Sequence, residues 1–324
     1  MRRTLGKLWP VSQYTLGGGG IGQVWGTTAR DEAVQTVQTA IENGVNLLDL
    51  APLYGRGEAE AVVGEAFGGH LPEGTRVTSK CLLGTDSPAS IKEQLEQSIT
   101  KSLKTMKLEQ IDVFFLHSQI IFDDYVFPSP LSETQQRWSV TQHCFNEAVR
   151  PAFEDLKNRG LINAWGITGT GHPDAIEAVL QSDHKPDVVQ IVTNLLDSPG
   201  SLKRYPEAAR PRSLIQVATE QGVGVMGIRA VQAGALTSGF DRDISANHPE
   251  MQDFERAAPF RELCNEWGSD PAVIAHQYAL AMAGVDTVVL GVKNRQELLA
   301  CLDGAAPLEP EQTAKIDALG LQRF

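Results

Sequence analysis

Short apolar runs alternate with amphipathic stretches eight times along this chain, and that rhythm admits very few folds. VNLLDL (45–50), RVTSK (76–80), IDVFFLH (111–117), NAWGIT (163–168), DVVQIV (187–192), GVGVMGI (222–228) and TVVLG (287–291) read as strands two to eight, and a first strand falls near 14–16. Such runs fit strands buried in a parallel sheet. Helical periodicity fills the intervals, as in DEAVQTVQTAIENG (31–44), AEAVVGEAF (59–67), SPASIKEQLEQSITKSLKTM (87–106), CFNEAVRPAFEDLKNRG (144–160), DAIEAVL (174–180), RSLIQVATEQG (212–222) and PAVIAHQYALAMAG (271–284). Asp31 is placed to cap the first helix and Gly44 to stop it, and Ser87 ahead of Pro88 reads as the start of the third. Eight strand-then-helix units predict an α/β protein, a (β/α)8 TIM barrel. The chain has 324 residues, no internal repeat and no low-complexity linker, so a single domain over 1–324 is expected.

Two stretches break the rhythm, 118–139 after the fourth strand and 232–258 after the seventh. Both leave carboxyl ends of strands and should overhang the barrel mouth as long loops, the usual place for substrate walls or lids. The first carries Phe122, Tyr125, Phe127 and Trp138. Aromatics on a loop should cover a pocket or meet a neighbouring subunit, so the oligomeric state stays open.

Composition excludes several classes of partner. The net charge is −12, from 28 basic and 40 acidic residues, which disfavours nucleic acid and anionic membrane surfaces. The amino-terminal segment lacks the apolar core, about 7–15 residues, of a secretory signal. No run reaches the roughly 18 apolar residues of a spanning helix. Cys81, Cys144, Cys264 and Cys301 are far apart and match no zinc spacing. His and acidic residues form no ligand-spaced cluster, so no metal is expected. Together these favour a reducing cytoplasm. Cys81 sits beside Lys80, which could lower its thiol pKa; the plainer reading is filler at a strand end.

The chemistry concentrates in Asp49, Tyr54, Lys80 and His117, each at or just past the end of a strand. In a parallel barrel those ends share one mouth. An acid, a phenol, an amine and an imidazole gathered there form a proton-transfer device. The run Gly17-Gly18-Gly19-Gly20-Ile21-Gly22 satisfies G-x-G-x-x-G, but that fingerprint needs a helix beginning among the glycines. No apolar period starts before about residue 33. A Rossmann site is therefore not expected, and the glycines should let backbone pass close to a ligand or simply turn. Trp25, just beyond, is a candidate for the pocket wall, and Tyr125 for substrate contact.

The segment GVNLLDLAPLYGRGEAEAVVGEAF, with its D-x-A-x-x-Y-G pattern, resembles the aldo-keto reductases, and VTSK, IDVFFLHS and RGLINAWGIT match later segments of that family. The resemblance spans nearly the whole chain. It implies reduction of a small-molecule carbonyl with NADPH, NADH being possible, bound extended across the mouth. Tyr54 would be the general acid, with its pKa lowered by Lys80, which Asp49 holds charged; His117 would orient the carbonyl. It also implies that Gln190 binds the nicotinamide carboxamide, with Asn194 near the pocket. LGVKNRQELLACLDGA resembles the phosphate and adenine site, with Gly291 opening the loop and Lys293 and Arg295 as candidate cations for the 2′-phosphate.

The sequence departs from the family at named positions. Thr168-Gly169 replaces a Ser-Asn pair, Ile228 and Arg229 stand where an aromatic usually stacks on nicotinamide, and Glu297 and Cys301 replace Gln and Asn. Two alternatives follow: an NAD-linked sugar or alcohol dehydrogenase on the same site, or a cofactor-binding sensor subunit with little turnover.

Overall fold

The computed structural model describes residues 3–84, 88–127, 137–240 and 242–322. Ser87, read as a cap, lies outside the described residues, as does the middle of the 118–139 loop. Eight parallel strands close a barrel in chain order. They are β1 (Tyr14–Gly17), β2 (Leu47–Asp49), β3 (Arg76–Cys81), β4 (Ile111–Leu116), β5 (Ile162–Thr168), β6 (Val188–Val192), β7 (Gly224–Ile228) and β8 (Thr287–Leu290). This is the expected (β/α)8 architecture.

Side chains alternate across each strand, and two apolar clusters result. Leu48, Val77, Phe114, Leu116, Ile167, Val189 and Ile191 face outward and pack in the layer beneath the helices. Leu47, Val113, Phe115, Ala164, Val188 and Met226 point into the barrel, where Leu5 and Val11 join them. Those last two belong to a short hairpin, Arg3–Thr4 paired with Pro10–Val11, that plugs the amino-terminal end. Gly166 makes room for this interior: a Cβ there would lie 2.3 Å from the Phe115 ring.

The surrounding helices are α1 (Arg30–Glu42), α2 (Glu58–Phe67), α3 (Pro88–Met106), α4 (Arg150–Asn158), α5 (Pro173–Leu180), α6 (Pro211–Glu220), α7 (Pro249–Arg256), α8 (Ala258–Glu266), α9 (Pro271–Ala281), α10 (Arg295–Asp303) and α11 (Pro310–Asp317). Proline opens several of them, because the first helical N–H needs no partner within the helix. Ala29, not Asp31, caps α1; Asp31 sits in the first turn, where a carboxylate favours the helix dipole. A π-helical turn, Phe145–Val149, leads into α4 beside Pro151, whose missing N–H breaks the regular ladder.

Three local expectations need correction. A helical turn does form among the glycines, Gly18–Ile21, but it is one turn long and α1 starts only at Arg30. The 232–258 segment is not all loop, since its last part is α7. The 118–139 segment begins and ends in short paired strands, Gln119–Ile121 and Ser139–Thr141. Among the described residues, no helix is long and apolar enough to cross a membrane.

Candidate active site

The carboxyl ends of the strands open into a cavity of about 530 Å³. Asp49 is the last residue of β2, and Tyr54 begins a tight 3-10 turn, Tyr54–Gly57, shortly after it. Gly55 within that turn has φ +65°, and a Cβ there would lie 2.2 Å from the Gly22 carbonyl oxygen, so the turn requires glycine. Lys80 is the next-to-last residue of β3, and His117 follows β4 directly.

The four groups meet. The Lys80 ammonium donates to Asp49 Oδ1 at 2.8 Å and to the Leu50 carbonyl at 2.8 Å, with no side-chain exposure. Thr78, paired with Asp49 in the register of β2 and β3, adds its hydroxyl to the same carboxylate oxygen at 2.8 Å. Lys80 Nζ stands 4.9 Å from the centre of the Tyr54 ring. The Tyr54 and His117 rings meet edge to face at 5.8 Å. Asp49, Tyr54 and His117 line the cavity.

Burial governs the protonation states. Dehydration alone would push the Lys80 pKa down, but Asp49 and then Tyr54 overcome it, and the ammonium is held above its usual range. Dehydration and the neighbouring ammonium push His117 down to about 3, so the imidazole is neutral at physiological pH. Tyr54 departs from the sequence expectation. Burial raises its pKa, Lys80 lowers it and Asp49 raises it, and the net shift is upward. The phenol therefore holds its proton more firmly than a free tyrosine. Cys81, next to Lys80, is buried and pushed up to about 11; its side chain is on the opposite face of β3, in the outer core.

The residues proposed for a cofactor divide into groups. Thr168, Gln190, Ile228, Arg229, Gly291, Lys293 and Glu297 line the cavity, as does Trp25. Gln190 reaches across the barrel and donates to Asp49 Oδ1 at 2.6 Å. Thr168 donates its hydroxyl to the Leu116 carbonyl at 2.7 Å. Gly169 is crowded: a Cβ would meet Gln190 O, Val189 and Ile191 at 3.0–3.2 Å, so an asparagine there would need its neighbours to shift. Arg229 is ion-paired with Glu250 at 2.6 Å.

Asn194, Arg295 and Tyr125 lie outside the cavity wall. Asn194 is fully buried, its amide bonded to the backbone of Leu196, Ser198 and Arg229. Arg295 is turned to Glu32 of α1, at 2.9 Å. Tyr125 packs against Phe127 and His172. Cavity residues that no motif announced include Arg204, Arg242 and His276.

An elongated redox cofactor fits these donors. Thr168 spends its hydroxyl proton and Gln190 one of its two amide protons on the protein, leaving acceptor oxygens for an amide N–H₂. At the other end, Lys293 and Arg242 offer positive charge beside Trp25, which Arg242 overlies.

The mouth of the barrel thus brings an acid, an amine, a phenol and an imidazole together at the wall of one cavity. This chain belongs to the aldo/keto reductase family, whose profile matches residues 14–320. It is 25% identical over 296 residues to L-galactose dehydrogenase of Arabidopsis thaliana, covering 88% of this chain and 81% of that protein. It is 24% identical to the NADH-specific methylglyoxal reductase of Escherichia coli (strain K12), covering 72% of this chain and 66% of that one. Its fold superimposes with a TM-score of 0.68 on an aldo-keto reductase from Klebsiella pneumoniae in complex with NADPH, at 20% identity, covering 100% and 96% of the two chains. The protein is thus an enzyme of the nicotinamide-dependent oxidoreductase class.

Proposed function

We propose that this enzyme reduces an aldehyde or ketone to the alcohol with NADPH, and oxidises the alcohol in reverse. The observation that carries the reading is the buried Lys80–Asp49 pair beside Tyr54, with neutral His117 edge-on to the same phenol. The dinucleotide, when bound, supplies hydride to the carbonyl carbon. Thr168 and Gln190 would hold its carboxamide, and Arg242 and Lys293 its phosphates. The chain's own residues handle the proton. Tyr54 keeps its proton at neutral pH and transfers it to the carbonyl oxygen as negative charge develops there. Lys80 stabilises the phenolate left behind, and Asp49 fixes the ammonium in place. A neutral His117 donates one N–H to the carbonyl oxygen and orients it. Tyr54→Phe should lower kcat by roughly 10²–10⁴ while the dissociation constant for NADPH stays within about threefold. Retention of most activity would remove Tyr54 from this role.

One observation favours a second reading, an NAD-linked sugar or alcohol dehydrogenase. Of the two cations offered to a 2′-phosphate, Arg295 is bound to Glu32 and Lys293 faces Glu297 at 3.7 Å. The Lys293 amide also donates to Glu297, at 2.8 Å. Carboxylates at this position oppose an added phosphate and suit a ribose hydroxyl. Fluorescence titration with NADPH and NADH decides. NADPH binding tighter by about tenfold, some 1.4 kcal/mol, supports the first reading, and equal or NADH-favoured binding supports the second.

A further inference from the structure

Three of the cations in and around the cavity are ion-paired. Lys80 pairs with Asp49, Arg229 with Glu250, and Lys293 with Glu297. Arg242 donates to the Ala233 carbonyl and lies over the rings of Trp25 and Phe240. Arg204 differs. It lines the cavity half-buried, its Nη1 is shut off from solvent without a hydrogen-bond partner, and it forms no ion pair with any described residue. Its guanidinium lies over the Trp138 indole at 5.3 Å. A buried donor left unmade costs about 1–3 kcal/mol, more on a charged group. No hydrogen bond from Arg204 to a described residue offsets that cost, so the half-buried guanidinium stands unsatisfied at the cavity wall.

Local connectivity links Arg204 to the segment that follows His117. Gln119, two residues after His117, donates its backbone N–H to the Trp138 carbonyl at 2.9 Å. Its side-chain amide donates to the Leu202 carbonyl at 2.8 Å. These two bonds tie Arg204 and Trp138 to the segment that emerges from β4. Arg242 and Lys293 belong instead to the side of Trp25. Two positive regions thus line one cavity: Arg242, on the side of Trp25, is bonded to a backbone carbonyl, whereas Arg204, tied to the His117 segment, has neither an acidic partner nor a hydrogen bond among the described residues.

We propose that Arg204, stacked on Trp138, binds a carboxylate on the substrate, so that the enzyme's carbonyl substrates are oxo acids. Guanidinium matches carboxylate in a two-point fork, and the indole fixes the plane of that fork. The neutral edge of His117 takes the carbonyl while Arg204 takes the acid, which sets the orientation of the substrate in the mouth. The assignment rests on the carbonyl-reductase reading for what the carboxylate is attached to; binding of the carboxylate does not depend on turnover.

The test separates the two. Kinetics compare succinic semialdehyde with its methyl ester, which has the same carbonyl and no charge. The wild type should favour the acid by tenfold or more in kcat/KM. Arg204→Gln should lower kcat/KM for the acid at least tenfold more than for the ester, through KM, and Arg204→Lys should recover part of the difference. A wild type indifferent to the charge, or an Arg204→Gln variant that weakens both substrates equally, overturns the proposal. In parallel, succinate is titrated as a non-reacting probe against tryptophan fluorescence. Saturable quenching in the wild type, lost in Arg204→Gln and weakened by salt, supports the carboxylate site even if neither carbonyl is turned over, an outcome that would count against the reductase reading alone. No quenching in the wild type counts against the site.

Discussion

Lys80 holds a full charge with no exposed surface, and it can do so because one oxygen of Asp49 gathers three donors, from Lys80, Thr78 and Gln190. The same dryness keeps two imidazoles neutral: His117 is pushed down to about 3 and His276 to about 4, both chiefly by burial. In the unfolded chain each returns to about 6.5. The unfolded state then binds more protons below that pH, so the stability held by the neutral rings is complete above it and is lost as pH falls toward the folded values. The stability advantage of the wild type over His276→Gln should therefore shrink between pH 7.5 and 5, as read by urea unfolding of both at each pH. Comparing the two removes the contribution of carboxylates they share. An advantage that stays constant or grows would contradict the neutral-burial account. Asp49, Tyr54, Lys80 and His117 were legible from sequence because each closes or follows an apolar run. Arg204 was not, since SLKRYPEAARP carries no pattern and its meaning depends on contacts with Trp138 and on bonds made by Gln119. Gln190 was legible as a cavity residue, but its bond to Asp49 crosses the barrel between strands 141 positions apart.

The glycine run shows how an element can serve a site through close packing. Gly18, Gly19 and Gly20 form a helical turn with each Cβ position already taken. A methyl at Gly18 would stand 3.0 Å from Tyr54, one at Gly19 2.6 Å from the Trp25 indole nitrogen, and one at Gly20 1.8 Å from the Val292 carbonyl oxygen. The first two neighbours are side chains; the third is backbone of the segment that leads to Lys293. Alanine scanning should therefore rank Gly20→Ala as the most damaging to stability and to dinucleotide binding. Gly18→Ala should mainly lower kcat by displacing Tyr54. Thermal melts and kcat for the three variants test the order, and a Gly20→Ala protein as stable as the other two would refute the packing argument. Strands were readable because alternation inside a closed barrel leaves a short apolar signature. Helix α7 was not: the side chains it buries include Glu250 and Asp253, which hold Arg229, Ser198 and Gln232 in a polar network. An element anchored by carboxylates looks like loop to any search for apolar periodicity.

At the scale of the whole barrel, the two ends divide the work of stability and chemistry. The amino-terminal end is sealed by the hairpin, with Leu5 and Val11 fully buried against Leu47, Val113, Phe115 and Met226. Polar bonds fix this plug to several strands at once. Asp286 accepts from the backbone N–H of Gly6 at 3.0 Å and of Val225 at 2.9 Å, and Asn46 accepts from Ser12 N at 2.8 Å. Gly6 approaches Gly224 so closely that a Cβ would lie 2.4 Å from its nitrogen. The carboxyl-terminal end is left open, and its inward positions carry Asp49, Lys80, Gln190 and Thr168 in place of aliphatic side chains. Loss of packing at the plug should then reduce stability without touching the chemistry. Leu5→Ala is expected to cost about 2–5 kcal/mol of unfolding free energy, measured by urea denaturation, with kcat at 25 °C within twofold of the wild type. A fall in kcat as large as that from a substitution at the mouth would mean that the positions of Lys80 and Asp49 depend on the plug, and that the two ends are mechanically one.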